Sequence, residues 1–168
     1  YVVHFHPSNY KKRIEEARLL KQDVTRLPDE NPRVVLAGDF NAFSPEDEWV
    51  YGKDAKLISF FEQLDATKSS ARNLNHGAID YGAIEAVLGH GFIDVVASQR
   101  SVDSPYVGTF PTRLIDDKDQ GPDRRIDFIF VSPNLQESVL SAGILRNATT
   151  ELLSDHIPVV AAIDMSKK

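Results

Sequence analysis

Apolar residues along this chain fall into two patterns: short unbroken runs, and stripes in which every third or fourth position is apolar. Short runs are typical of strands buried on both faces, and the run at residues 34–37 ends at Gly38, which permits a sharp change of direction. The strongest stripe spans residues 10–27 and predicts an amphipathic helix. Further strands are predicted at residues 1–5, 125–131, 138–146 and 157–163.

The segments between these elements give weaker predictions. Ser44 as a cap, followed by Pro45, predicts the start of a second helix, because both residue types are favoured at helix N-termini. Residues 92–96 fit either a strand or a short buried helix, and periodicity does not decide between the two. The remaining predictions are helices at residues 54–64 and 79–88, a surface loop at 65–78, and a strand followed by a loop at 106–112.

The order of strand, helix and strand over residues 1–38 predicts a β-α-β unit. The two strands of such a unit are usually parallel and close neighbours, so their carboxyl ends lie at the same edge of the sheet. Open α/β sheets bind their ligands at this edge. Asp39 and Asn41 directly follow the second strand and are therefore candidate site residues, although Gly-Asp-x-Asn also forms ordinary turns.

Composition narrows the class of protein. The 168 residues are 42% hydrophobic and 26% charged, which is typical of a single globular domain. The net charge of −6 and the pI near 5.3 argue against strong sequence-independent binding of nucleic acid. The absence of cysteine excludes disulfides and thiolate metal sites, and no apolar run approaches the roughly 18 residues of a membrane-spanning helix.

The adjacent pair Asp155 and His156 stands just before the last apolar run. A carboxylate at a strand end can bind a hard divalent cation. The imidazole beside it can hold a phosphate oxygen or move a proton near neutral pH. The alternative interpretation is a turn with an exposed histidine.

Asp127 begins another apolar run, where burial of a carboxylate is costly unless the group is paired. The economical partner is a histidine, which the carboxylate would orient and keep protonated. Arg124 and Arg125 are rival partners, and an ion pair with either would make Asp127 a structural residue.

Two histidines flank Phe5 near the start of the chain. His4 and His6 alternate with this apolar residue in a predicted strand, so both histidines point to the face opposite to Phe5. A buried histidine satisfied by hydrogen bonds is the alternative for each. We favour a functional role for His4 over one for His6.

Four segments taken in order resemble the endonuclease/exonuclease/phosphatase superfamily, whose fold is also known as deoxyribonuclease-I-like. They are Val3-His4-Phe5, Gly38-Asp39-Phe40-Asn41, Arg125-Ile126-Asp127-Phe128-Ile129-Phe130 and Ser154-Asp155-His156-Ile157-Pro158. The resemblance implies an α/β fold, a four-layer sandwich of two packed mixed sheets with outer helices. It also implies Mg²⁺-dependent hydrolysis of a phosphoester, with Mn²⁺ as an alternative metal. The implied substrate is a small molecule, a lipid or a nucleic acid.

The resemblance also implies a role for each matching residue. Asp39 would orient and deprotonate the attacking water, and Asn41 would fix that water or a phosphate oxygen. Asp155 would contribute to Mg²⁺ binding. His156, held by Asp127, would stabilise charge on the phosphate as its geometry inverts.

The last of these implied roles falls to His4, which would contact the phosphate near the leaving group. Family members also carry an early Asn and a metal-binding Glu in a segment that has no match here. We therefore expect residues 1–168 to be a single partial catalytic domain that lacks its N-terminal portion and has little or no activity alone. A longer chain or a partner chain would complete the sandwich. The alternative function is a non-catalytic interaction domain that retains the fold.

Overall fold

The larger sheet of the protein has the strand order β1-β2-β6-β5 in the computed structural model, which describes residues 1–101, 103–115 and 119–166. β1 runs parallel to β2, while β6 is antiparallel to both β2 and β5. Two hairpins, β3-β4 and β7-β8, form separate sheets. The strands are β1 (Val2–His4), β2 (Val35–Asp39), β3 (Leu74–Asn75), β4 (Ala78–Ile79), β5 (Ile93–Asp94), β6 (Asp127–Val131), β7 (Val139–Ile144) and β8 (Val159–Ile163).

Helices α1, α3 and α5 each follow a residue whose side chain satisfies free backbone amides. Asn9, Asp54 and Asp94 each accept hydrogen bonds from two amides of the first helical turn that follows. None of the helices in the described ranges is long and apolar enough to cross a membrane. The helices are α1 (Tyr10–Val24), α2 (Glu48–Tyr51), α3 (Ala55–Thr67), α4 (Gly82–Leu88) and α5 (Val95–Gln99), and 3₁₀ segments occupy Pro45–Asp47, Arg113–Ile115, Pro133–Ser138 and Thr150–Leu152.

Helices α1 and α4 cover one face of the larger sheet, and the core between them is centred on Phe40. The ring of this fully buried residue makes edge-to-face contacts with Phe5, Phe128 and Phe130 at centroid distances of 4.9 to 5.7 Å. Phe40 stands between Asp39 and Asn41. The aromatic core therefore anchors the segment that carries both polar residues.

The hairpin of β7 and β8 packs on the opposite face of the larger sheet. Val131 of β6 and Val95 of α5 are fully buried there, against Ala142, Ala161 and Ile163 of the hairpin. The larger sheet is therefore packed between a layer of helices, α1 and α4, and the β7-β8 hairpin. This arrangement confirms the predicted α/β fold, with packed sheets and outer helices.

The structure corrects one strand prediction. Residues 106–112 form no strand among the described residues and contribute only an isolated bridge between Phe110 and Arg124. Backbone and side-chain hydrogen bonds between Thr109 and distant segments hold the loop instead, and a two-residue alternation in the sequence does not reveal such contacts. Residues 92–96 combine both predicted alternatives, because β5 ends at Asp94 and the same residue caps α5.

Two further boundaries differ from the sequence prediction. The segment 65–78 is not entirely loop, since β3 lies within it, held by the carboxylate of Asp65 through the amides of Asn73 and Leu74. The helix expected from residue 79 begins at Gly82, because Ile79 pairs with Leu74 in the β3-β4 hairpin.

Gly38 brings β1 and β2 unusually close together. Its φ is +140°, and a Cβ atom at this position would lie 2.0 Å from the backbone oxygen of Val3. Only glycine avoids this overlap. The close approach fixes β1, and with it His4, beside the end of β2.

Candidate active site

Strand register places three polar residues side by side at one edge of the larger sheet. His4 of β1 is paired with Asp39 of β2, and Asp39 is paired with Asp127 of β6. The three lie at the ends of neighbouring strands, as the β-α-β prediction requires for the first two. A groove between this edge and the start of β8 adjoins Asp127 and His156.

Asn41 is tied closely to Asp39. The Asn41 backbone amide donates to Asp39 Oδ1 at 2.7 Å, and the side-chain nitrogen donates to Asp39 Oδ2 at 2.9 Å. The same nitrogen donates to the backbone oxygen of Phe5 at 3.0 Å. These bonds hold Asn41 at a φ of +47°, a left-handed conformation that asparagine tolerates better than most residues.

The partner of Asp127 is His156, whose Nδ1 lies 2.8 Å from Asp127 Oδ2. Neither rival arginine fills this position, because Arg125 pairs with Asp47 and Asp94, and Arg124 donates to backbone oxygens. With Nδ1 donating to the carboxylate, Nε2 of His156 remains for a ligand or a proton.

The surroundings raise the pKa of Asp39 and the pKa of His156. Burial raises the pKa of Asp39 and the charge of Asp127 adds to the effect, while the amide of Asn41 and the two histidines oppose it. Burial alone would lower the pKa of His156, but the hydrogen bond and charge of Asp127, with smaller contributions from Asp39 and Asp155, raise it. At this edge a carboxylate becomes more basic and an imidazole stays protonated to higher pH.

The other predicted site residues lie nearer to the surface. The side chain of His4 is 75% exposed, and its Nε2 stands 3.5 Å from Asp39 Oδ2. Asp155 is exposed, and its Oδ1 accepts a hydrogen bond from the hydroxyl of Ser154. His6 is occupied locally, because its Nδ1 accepts from the amide of Ser8.

Asp39, Asp127 and His156 form the one group of potential metal-ligating side chains found among the described residues, with one atom of each within 4.8 Å of the others. Two carboxylates suit a hard cation such as Mg²⁺, which prefers oxygen ligands. His156 uses Nδ1 to bind Asp127, so the donors that fit such a cation here are the carboxylate oxygens. Asp155 is not in this group.

Sequence reasoning missed the groups that support the site from behind. Arg125 is buried between the carboxylates of Asp47 and Asp94, and Arg100 also binds Asp47. Thr109 is fully buried and accepts hydrogen bonds from the start of β6. For the cluster around Arg125, the sequence offered one indication, an arginine directly before an apolar run. No feature of the sequence indicated a role for Thr109.

Comparison with known proteins gives one family. The model of a family described as "Endonuclease/Exonuclease/phosphatase family" matches residues 2–156. No curated protein sequence matches significantly.

Solved structures share the fold at low sequence identity. An AP endonuclease from Archaeoglobus fulgidus is 21% identical with a TM-score of 0.61, over 98% of this chain and 60% of that one. A mannosyl-6-phosphatase from Bacteroides thetaiotaomicron is 22% identical with a TM-score of 0.56, over 98% and 50%. A 3'-5' exonuclease from Neisseria meningitidis is 22% identical with a TM-score of 0.55, over 92% and 52%. The chain thus spans between half and 60% of the length of these proteins.

Proposed function

Because it matches the family model over residues 2–156, this chain belongs to the endonuclease/exonuclease/phosphatase family, and we propose that it is a Mg²⁺-dependent phosphoester hydrolase. The observation that carries the proposal is the convergence of Asp39, Asp127 and His156 from three separate parts of the chain. Each activity in the family description cleaves a phosphoester bond. A base, a cation site and a charged imidazole are what such cleavage requires.

Asp155 would contribute to metal binding from the loop that precedes β8. Bound there, Mg²⁺ would supply charge stabilisation to the phosphoryl oxygens. Asp155 is exposed and accepts a hydrogen bond from Ser154, so its carboxylate is accessible to a ligand. Mn²⁺ has the same preference for oxygen donors and is the alternative cation.

Asp39 would orient and deprotonate the attacking water. Its raised pKa makes it a stronger base than an ordinary aspartate, which favours proton removal. The side-chain nitrogen of Asn41 already donates to Asp39 and Phe5, whereas its amide oxygen accepts no hydrogen bond from the described residues. Of the two tasks expected of Asn41, orienting the water through this oxygen fits better than donating to the phosphate.

His156 would stabilise negative charge on the phosphate through Nε2. Asp127 orients the ring through Nδ1 and helps to raise its pKa, so the cationic form persists to higher pH than in an ordinary histidine. His4 is exposed at the same edge and would contact the phosphate near the leaving group. In this arrangement Asp39 would act on the attacking water and His4 would act near the leaving group.

Hydrolysis of bis(p-nitrophenyl) phosphate and p-nitrophenyl phosphate tests the proposal in a longer chain that contains these 168 residues and the N-terminal portion expected from the resemblance. We expect turnover with Mg²⁺, loss of turnover with a chelator, and loss in Asp39→Ala and His156→Ala. His90→Ala, a histidine remote from this edge at the end of α4, is the matched control and should retain activity. The preferred ester would distinguish a diesterase from a monoesterase. Turnover that survives in Asp39→Ala and His156→Ala would contradict the proposed site.

A further inference from the structure

Thr109 contacts both of the chain segments that carry the Asp127–His156 pair. Its side-chain oxygen accepts hydrogen bonds from the backbone amides of Ile126 and Asp127, at 3.0 and 3.2 Å. Its backbone oxygen accepts a hydrogen bond from the amide of Ile157 at 2.7 Å. The residue is 0% exposed, so these bonds are shielded from competing water. One residue therefore holds the backbone on either side of the pair.

The segment that contains Thr109 is itself fixed in place. The amides of Thr109 and Phe110 both donate to the backbone oxygen of Arg124, at 2.9 and 3.0 Å, and the amide of Arg124 donates back to Phe110 at 2.7 Å. The ring of Phe110 lies against the imidazole of His156, with centroids 4.8 Å apart. The guanidinium of Arg124 lies 4.6 Å from the centroid of the same phenyl ring. Movement of this segment would disturb the histidine directly.

We propose that Thr109 is a positioning residue that sets the distance and orientation between Asp127 and His156, an inference that rests on the hydrolase function proposed above. A hydroxyl oxygen can accept two hydrogen bonds, and here both come from amides at the start of β6. Removal of the oxygen leaves the buried amide of Ile126 and the partly buried amide of Asp127 without this acceptor, which is unfavourable enough to move the strand end. Thr109 acts through the pair and touches no reacting atom.

Three variants separate positioning from simple stabilisation. Thr109→Val keeps the shape of the side chain and removes the acceptor, while Thr109→Ser keeps the acceptor. Ser132→Ala is the matched control, because Ser132 is also buried and accepts a hydrogen bond from a backbone amide, that of Val34. Ser132 directly follows β6 at the end remote from Asp127.

The first measurement is the tautomer of the neutral His156 ring, determined by ¹⁵N NMR of the metal-free protein. In the wild type, Thr109→Ser and Ser132→Ala, we expect the proton on Nδ1, because this atom donates to Asp127. In Thr109→Val we expect a mixture of the Nδ1 and Nε2 tautomers. This measurement needs no turnover.

The second measurement is Mg²⁺-dependent hydrolysis of bis(p-nitrophenyl) phosphate by a longer chain that contains these 168 residues and the N-terminal portion expected from the resemblance. Thr109→Val should lower kcat by about 10- to 100-fold, the range seen when groups that orient a site residue are removed, with KM changed by less than about twofold. Thr109→Ser and Ser132→Ala should retain the wild-type kcat. Unfolding midpoints of Thr109→Val and Ser132→Ala show whether both variants are destabilised to a similar extent.

A wild-type tautomer on Nδ1 that persists in Thr109→Val, with kcat unchanged, would overturn the proposal and leave Thr109 a purely structural residue. A wild-type tautomer on Nε2 would overturn it as well. If Thr109→Val does not fold, Thr109→Cys replaces it, since a thiol is only a weak acceptor; retention of the Nδ1 tautomer there is the contradicting result. Absence of hydrolysis in the wild type would refute the proposed function, while the tautomer would still decide the role of Thr109.

Discussion

Single residues at the site differ from their free counterparts in protonation. Burial of His156 lowers its pKa, but the hydrogen bond and negative charge of Asp127 outweigh this effect, with smaller contributions from Asp39 and Asp155. The net result is a raised pKa, so the imidazolium persists to higher pH than in an ordinary histidine. A cation is the form that can stabilise a phosphate whose charge is increasing.

Replacement of Asp127 by Asn should lower the pKa of His156, because the raising contributions weaken while burial remains. In the proposed mechanism the protonated ring is the active form. We therefore expect kcat/KM to be lost as the pH rises through this pKa, and at lower pH in Asp127→Asn than in the wild type. NMR titration of the metal-free protein and the pH profile of hydrolysis measure the shift. Asp29→Asn, in an exposed turn, is the control. An unchanged or higher pKa of His156 in Asp127→Asn would contradict this explanation.

Gly38 is the residue on which the spacing of β1 and β2 depends. Gly38→Ala should destabilise the protein by about 2 kcal/mol or more, because a left-handed backbone and overlap with Val3 both oppose a side chain there. Gly143→Ala is the control, since a Cβ on Gly143 in β7 meets no atom within 4 Å. Urea denaturation measures the free energy of unfolding of both variants. Equal losses would show that β1 and β2 accommodate a side chain at residue 38 without strain.

At the scale of elements, a buried ion cluster connects the segment after β2 to the start of α5. Arg125 donates to Asp47 at 2.7 Å and to Asp94 at 2.5 Å, and Asp94 also caps α5. Burial opposes the charge on Arg125, but the two carboxylates raise its pKa and keep it cationic. Arg125 lies two residues before Asp127, so the cluster also anchors the start of β6.

Removal of the central cation should be strongly destabilising. In Arg125→Met the carboxylates of Asp47 and Asp94 stay buried and lose their shared cation, while Arg100 still pairs with Asp47. We therefore expect a loss of about 3–5 kcal/mol in the free energy of unfolding. Arg100→Met should lose less, because Arg100 is partly exposed and Arg125 still neutralises Asp47. Chemical denaturation measures both variants. A loss in Arg125→Met no larger than that in Arg100→Met would contradict the central position of Arg125.

The local pattern of apolar residues predicted the helices and strands whose buried positions recur at a regular spacing. The run ending at Gly38 and the stripe of α1 gave the β-α-β unit, and through it the neighbourhood of His4 and Asp39. Pattern failed at residues 106–112, where Thr109 accepts hydrogen bonds from distant segments and no strand ladder forms among the described residues. Local pattern reports periodic burial, and these contacts are not periodic.

The choice of partner for Asp127 was open in the sequence for a similar reason. Arg124 and Arg125 are its near neighbours along the chain, whereas His156 lies 29 residues away. What excludes Arg125 is its own pairing with carboxylates 78 and 31 residues distant. A partner set by folding cannot be chosen by proximity in sequence.

For the molecule as a whole, the chain spans 60% of the archaeal endonuclease and 50% of the Bacteroides phosphatase in structural superposition. Val2 on β1 is 90% exposed and Val160 on β8 is 45% exposed, so apolar side chains face outward on both sheets. Single exposed apolar side chains are common on protein surfaces. The resemblance to the family is therefore the ground on which we propose that another segment or chain completes the site.

The 168-residue chain alone should therefore turn over little or no bis(p-nitrophenyl) phosphate and bind Mg²⁺ weakly. The experiment compares the kcat and the Mg²⁺ affinity of this chain with those of a longer chain that contains it and the expected N-terminal portion. Circular dichroism of the isolated chain controls for folding. Equal kcat per chain in the two forms would show that these residues are sufficient.

The central claim is that Asp127 of β6 and His156 of the loop before β8 act as one catalytic unit. A double-mutant cycle tests this claim most directly. The cycle measures kcat/KM for Asp127→Ala, His156→Ala and the double variant. Groups that act as a unit are strongly non-additive, so the double variant should be no more than about threefold worse than His156→Ala alone. If the two losses instead multiply in full, Asp127 and His156 act independently, and the account of the site is wrong.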